Sequence, residues 1–171
     1  ECISNSNEIA NKIEQYDILQ HEYNYPVFGT KEESLAKLTK LSKEGFIKRF
    51  ARKDIDKKVY LDRLKYEIQS IYNIGFVDYF ILLHDLYEFC DREDIYTGFG
   101  RGSGPASLVL YCLNVSHLDP IKYNLLFERF INPERVSAPD FDADVDDTDR
   151  QKVVRYIEEK YGKDRVCNIA T

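Results

Sequence analysis

Methionine is absent from the chain, position 1 included. The chain ends at Ile169-Ala170-Thr171 without a helix cap or a polar tail, so an excised, incomplete segment is expected rather than a complete reading frame. Long apolar runs are missing too. Nothing approaches the roughly 18 residues of a membrane span, and Glu1-Cys2-Ile3-Ser4 lacks the basic-then-apolar order of a secretory signal. Cys2, Cys90, Cys112 and Cys167 form no C-x-x-C pair. Their spread argues against a disulfide framework or a zinc site and reads as free thiols of a reducing compartment, so the expected location is cytoplasmic, with no membrane partner. Excess positive charge is also lacking: the formal net charge is −6, unlike the basic footprint of a simple phosphate-binding module. There is no internal repeat and no low-complexity segment.

What is present suits a globular segment with a real core. Of 171 residues, 43% are hydrophobic and 32% charged, enough for one domain or a piece of a larger one. The charge is uneven, with residues 37–65 rich in Lys and Arg and residues 140–149 densely acidic. A chain that binds nucleic acid on one surface and metal on another has this pattern, and a solvated helical face accounts for the basic part equally well.

Local signals order the chain. Residues 4–15 read as a helix capped by Ser4 or Ser6, followed by an irregular stretch. Thr30 and Glu33 make a capping box. Leu35, Leu38, Leu41, Phe46, Ile47 and Phe50 then form a helical stripe that Gly45 is expected to divide into two shorter helices. Asp56 caps a helix with Tyr60, Leu64, Ile68 and Ile71 on one face, stopped by Gly75. Residues 76–90 are apolar on most faces and predict the most buried helix. His84 within it reads as a packed histidine, because no second His or Cys stands at metal spacing. Ile95-Tyr96 predicts a short strand, residues 106–113 a helix ended by Asn114, and residues 123–131 another short helix. There Arg129, among Leu125, Leu126, Phe127 and Phe130, is expected to be partly buried against Glu128, Glu134 or a phosphate. Asp147 or Thr148 caps a last helix that stops at Gly162, and residues 165–169 predict a strand.

Two stretches carry chemistry. Thr97-Gly98-Phe99-Gly100-Arg101-Gly102-Ser103-Gly104-Pro105 is glycine-rich and precedes a helix N-terminus, a geometry that binds phosphate through exposed N–H groups. It matches neither the P-loop nor the dinucleotide fingerprint. In Pro139-Asp140-Phe141-Asp142-Ala143-Asp144-Val145, carboxylates at alternate positions of an extended strand share one face. Their repulsion calls for an offset, commonly a divalent cation with oxygen ligands. An EF-hand fits poorly, because Val145 stands at its glycine position and Gln151 at its last ligand. A solvated acidic turn suits Asp146, Asp147 and Asp149 better than it suits the alternating part.

Read together, the two stretches fit nucleotidyl transfer, which needs paired carboxylates for metals and donors for a triphosphate. Asp140 and Asp142 supply the first requirement. Gly102, Ser103, Arg101 and Arg129 supply the second.

The run from Leu125 to Asp144, which begins Leu125-Leu126-Phe127-Glu128-Arg129-Phe130-Ile131-Asn132-Pro133-Glu134-Arg135-Val136-Ser137, is highly specific. With Gly98 to Gly104, Ser107-Leu108-Val109, Leu118-Asp119-Pro120, Pro139 to Asp144 and Lys160-Tyr161-Gly162, it resembles the C family of bacterial replicative DNA polymerases, which contains the DNA polymerase III alpha subunit. Weaker similarity through residues 75–80 extends the resemblance to essentially the whole chain.

The resemblance implies an α/β (α+β) fold: a palm of the polymerase-beta-like nucleotidyltransferase type, with a small mixed sheet flanked by helices. Residues 1–30 would connect from a preceding PHP-type domain, residues 31–92 would form the helical part, and residues 93–171 the catalytic core. It further implies a DNA-directed DNA polymerase with two Mg²⁺ or Mn²⁺ ions in the complete site. Asp140 and Asp142 would be catalytic metal ligands, Asp144 a supporting residue, and Gly102-Ser103, Arg101 and Arg129 contacts of the incoming nucleotide. Implied partners are primer-template DNA, dNTP, the thumb, fingers and PHP parts of the enzyme, and a sliding clamp reached through other regions. The third catalytic aspartate would lie beyond Thr171, leaving the segment alone inactive. Phe99 in place of a usual Pro, Pro105-Ala106 in place of a small-residue and Gly pair, Ala138 in place of Met and Val145 in place of Phe mark divergence without removing a ligand. The competing expectations are a non-catalytic binding or assembly module with a degenerate palm, and a small standalone nucleotidyltransferase whose third carboxylate would be Asp119 or Asp164.

Overall fold

The computed structural model describes residues 2–14, 25–132 and 139–167. Among them the chain forms six α-helices: α1 (Cys2–Asn11), α2 (Lys31–Phe50), α3 (Lys57–Asn73), α4 (Val77–Arg92), α5 (Leu108–Cys112) and α6 (Arg150–Tyr161). Single 3₁₀ turns occupy Gly104–Ala106, Phe127–Arg129 and Lys163–Arg165.

Most helix ends follow the local chemistry. Thr30 accepts from the Glu33 N–H at 3.3 Å while Glu33 accepts from the Thr30 N–H at 2.8 Å, a complete capping box. Asp56 caps α3 through the N–H groups of Lys58 and Val59. Gly75, at φ +82°, closes α3 with paired bonds from Gly75 N to Tyr72 O and from Phe76 N to Ile71 O, the pattern that satisfies the last carbonyls. Asn114, at φ +63°, ends α5 in the same way.

The core forms around α5, whose residues Leu108 to Cys112 are all buried. A five-residue helix has no stability of its own. It is held because α2 and α3 both pack on it, with α4 packed on α2 in turn. A smaller cluster of Cys90, Ile95 and Val153, with Val145 and Phe89 against it, joins α4 to α6. There Phe89 and Tyr156 stack with ring centroids 3.9 Å apart.

Several expectations are corrected. Gly45 does not divide α2, which runs unbroken through it; instead the α5 backbone lies against Gly45, where an added Cβ would come within 1.9 Å of the Cys112 carbonyl oxygen. Helix α1 begins at Cys2, so Ser4 and Ser6 sit inside it rather than capping it. Residues 123–131 contain only a 3₁₀ turn, because Asn124 turns the chain at φ +51°. The N-cap of α6 is Asp149, while Asp146 instead accepts from the Thr148 N–H and hydroxyl. The mixed sheet is overturned: among the described residues there is no strand, only one antiparallel bridge between Thr97 and Val145. The cause is local. Gly100, at φ +107°, turns the chain away just after the bridge on one side, and the Asp146–Thr148 turn does so on the other. Residue 138, Glu134 and residues 168–169 of the expected last strand lie outside the described residues. No helix among those described is long and apolar enough to cross a membrane.

His84 packs as expected, its Nδ1 donating to the Leu113 carbonyl at 3.0 Å. The next residue, Asp85, joins α4 to α6 by accepting from the Tyr156 and Tyr161 hydroxyls, each at 2.8 Å, and from Lys160. Burial pushes its carboxyl up, but these donors outweigh burial and hold it below the usual range.

Two measurements follow from this packing. Gly45→Ala gains about 1 kcal/mol of helix propensity but forces α2 and α5 apart. The expected net effect is a loss of about 2 kcal/mol in denaturant unfolding, and a neutral or stabilised variant would refute the close approach. An acid whose folded pKa is depressed adds stability above its unfolded value of about 3.9 and loses it as pH falls through the folded one. Asp85→Asn should therefore cost about 1–2 kcal/mol at pH 7 and flatten the decline in stability below about pH 4; a decline as steep as the parent's would contradict this.

Candidate active site

The glycine-rich loop and the acidic segment lie against each other. Around the Thr97–Val145 bridge, Gly98 N donates to Asp144 O at 2.9 Å and Asp146 N to Tyr96 O at 3.1 Å. Beyond the bridge the contact requires residues without side chains. A Cβ on Gly104 would come within 2.5 Å of the Phe141 ring, and one on Gly102, at φ +65°, would lie 3.0 Å from Asp142 Oδ2. Phe141 wedges between this loop and α4, its ring 6.1 Å from that of Tyr87. On α4, Tyr79 is pushed up to about 12, first by burial and then by Tyr25 and Asp140.

Of the three alternating carboxylates, Asp142 and Asp144 converge on one guanidinium, so their immediate offset comes from within the chain. Arg101 Nη1 stands 3.1 Å from Asp142 Oδ2, and its Nε donates to both Asp144 oxygens at 2.8 and 3.0 Å. Asp140 is exposed and outside these pairs, though its charge reaches Arg101. All the groups are accessible, so the pairing is screened and exchangeable rather than a structural lock. Among the described residues, no cluster of three or more His, Cys, Asp or Glu side chains is arranged for a metal ion. The donor set still suits Mg²⁺ or Mn²⁺, which take one or two carboxylates and complete their shell with water and substrate phosphates. Asp119 is engaged by groups of α3 and of its own turn. Its oxygens accept from the Tyr60 hydroxyl at 2.9 Å and from the Ile121 and Lys122 N–H groups.

Beside the loop opens a cavity of about 370 Å³, one wall taken here as the stretch that contributes Gly102, Ser103 and Ala106 and the other as the stretch that contributes Leu125, Leu126 and Arg129. Arg129 is exposed, contrary to the expected partial burial, and has no ion-pair partner among the described residues; the hydroxyl of Tyr66 holds Glu128 at 2.8 Å. The α5 N-terminus is not free to bind a phosphate. Ser107 caps the Leu110 N–H, and the Val109 N–H donates to Glu67 at 3.0 Å.

Glu67 was not among the sequence candidates. It is fully buried, and burial pushes its carboxyl up against the Val109 and Leu108 backbone contacts and Arg63. Arg63 Nε donates to it at 2.6 Å and the Ser107 hydroxyl at 2.9 Å. The signal was available: Glu67 falls on the buried stripe with Tyr60, Leu64 and Ile71, with an arginine four residues before it. A carboxylate at a core position implies partners.

Comparison with known proteins gives the chain's relatives. DNA polymerase III subunit alpha of Staphylococcus aureus (strain COL) is 41% identical over 171 residues, covering 100% of this chain and 16% of that protein. The subunit of the same name from Staphylococcus epidermidis is 42% identical over 173 residues, with the same coverage of 100% and 16%. The chain thus spans about a sixth of the length of these relatives. The bacterial DNA polymerase III alpha NTPase domain matches residues 36–171, well over half of the chain, and the chain belongs to that family.

Proposed function

We propose that this chain is the nucleotide-gripping part of a DNA-directed DNA polymerase that transfers a nucleotide from dNTP to a primer 3′-hydroxyl. The observation that carries this reading is the approach of the glycine-rich loop to the acidic segment, with Arg101 on Asp142 and Asp144, beside the cavity that Gly102, Ser103 and Arg129 line. Carboxylates next to a triphosphate-sized recess lined by backbone and guanidinium donors match what nucleotidyl transfer requires.

In this reading Asp140 and Asp142 hold Mg²⁺ or Mn²⁺, and Asp144 supports them by keeping its charge on Arg101. Two such ions in the complete site would supply Lewis acidity toward the primer hydroxyl and the leaving pyrophosphate. Gly102 and Ser103 present the loop to the phosphates, and Arg129, exposed and lining the same cavity, supplies charge. In this reading Arg101, exposed and paired with Asp142 and Asp144, exchanges carboxylate for phosphate as the nucleotide enters. Residues 1–30 connect from a PHP-type domain, residues 31–92 are the helical support, and residues 93–171 are the catalytic core. Primer-template DNA, the remaining parts of the polymerase and a sliding clamp reached through other regions are the partners, in the cytoplasm. The segment alone is inactive.

In the full-length polymerase, Asp140→Asn and Asp142→Asn should each lower primer extension by about a thousandfold or more while circular dichroism stays unchanged. Near-normal extension by both variants would sink the assignment.

A further inference from the structure

The two walls of the cavity come from separate parts of the chain, and one guanidinium holds both. Arg63 Nη2 donates to the Ala106 carbonyl and to the Leu125 carbonyl, each at 3.1 Å. Its Nε is anchored on Glu67 at 2.6 Å, and Glu67 in turn holds Ser107 and the Val109 N–H, directly after the loop. Ala106 and Leu125 both line the cavity, one from each of the two stretches of chain that form it. One turn along the same face of α3, the Tyr66 hydroxyl holds Glu128, next to Arg129, and its ring meets that of Phe127 edge-on with centroids 6.0 Å apart. Helix α3 is thus a backing plate for both walls, fixed by a planar fork of donors that lysine does not reproduce.

We infer that Arg63, held by Glu67, is a positioning residue for the incoming nucleotide that sets the spacing between the Gly102-Ser103 wall and the Arg129 wall. The inference rests on reading this cavity as the triphosphate site. A change in spacing weakens the grip on the nucleotide in ground state and transition state alike, so it acts on KM more than on kcat.

The test is single-nucleotide incorporation by the full-length polymerase, with melting followed in parallel. Arg63→Lys keeps a charge for Glu67 and loses the fork; it should raise the KM for dNTP about tenfold and change kcat less than about threefold. Tyr66→Phe removes one exposed hydroxyl, keeps the melting temperature, and should raise KM about threefold; it decides the question alone if Arg63→Lys fails to fold. Arg129→Ala tests the site itself. If it raises KM while the α3 variants do not, the positioning role is refuted and the triphosphate site stands. If Arg129→Ala leaves KM unchanged, both readings fall. A lowered melting temperature with unchanged KM in Arg63→Lys would show a purely structural role.

Discussion

A carboxylate removed from water is costly unless donors replace its hydration, and in this chain Glu67 meets that requirement with an arginine, a serine hydroxyl and a backbone N–H. Each of those donors belongs to something that must be placed. Arg63 reaches the two cavity walls, Ser107 caps α5, and the Val109 N–H is among the first free donors of that helix. Deleting one partner of such a buried pair costs about 3–5 kcal/mol, so the loop, the short helix and the turn before Arg129 are coupled to one side chain.

The helix so anchored is too short to form alone and is apolar on every side. That makes α5 the centre of the core and forces its neighbours close, close enough at Gly45 that only a residue without a side chain fits. Function is then carried by loops on a rigid helical support. The glycine-rich loop leaves α4 by way of Ile95, and the acidic segment is held by Phe141 against that loop and by Val145 in the cluster between α4 and α6. The glycine-rich loop and the acidic segment, both irregular, are thereby kept in register by apolar contacts, and Arg101 completes the arrangement electrostatically.

Part of this was legible before the fold. Caps at Thr30 and Asp56, the stops at Gly75, Asn114 and Gly162, and the packed His84 depend on a few neighbouring residues, and each forms as its local chemistry requires. The candidate site was legible as composition: glycines with Ser103 in one stretch, alternating aspartates in another. The errors share a cause. Gly45 was read as a break because sequence reports its propensity and not the carbonyl that approaches it. Arg129 was read as partly buried because its apolar neighbours do not reveal that the turn presents it outward. The sheet is what the resemblance implies and the acidic strand what alternation suggests, and alternation shows which way side chains point but not whether a neighbouring strand is there to pair with.

What this sequence determined by itself is therefore local: the caps at Thr30 and Asp56 and the stops at Gly75, Asn114 and Gly162, the apolar stripes, and the kinds of group available for chemistry. Those rest on contacts within about one helical turn. Tertiary structure alone decided that Arg101 sits on Asp142 and Asp144, that Arg63 spans Ala106 and Leu125, and that Glu67 serves a helix some forty residues away. Those pairings are selected by burial, which makes an unpartnered charge costly only once the chain has closed around it.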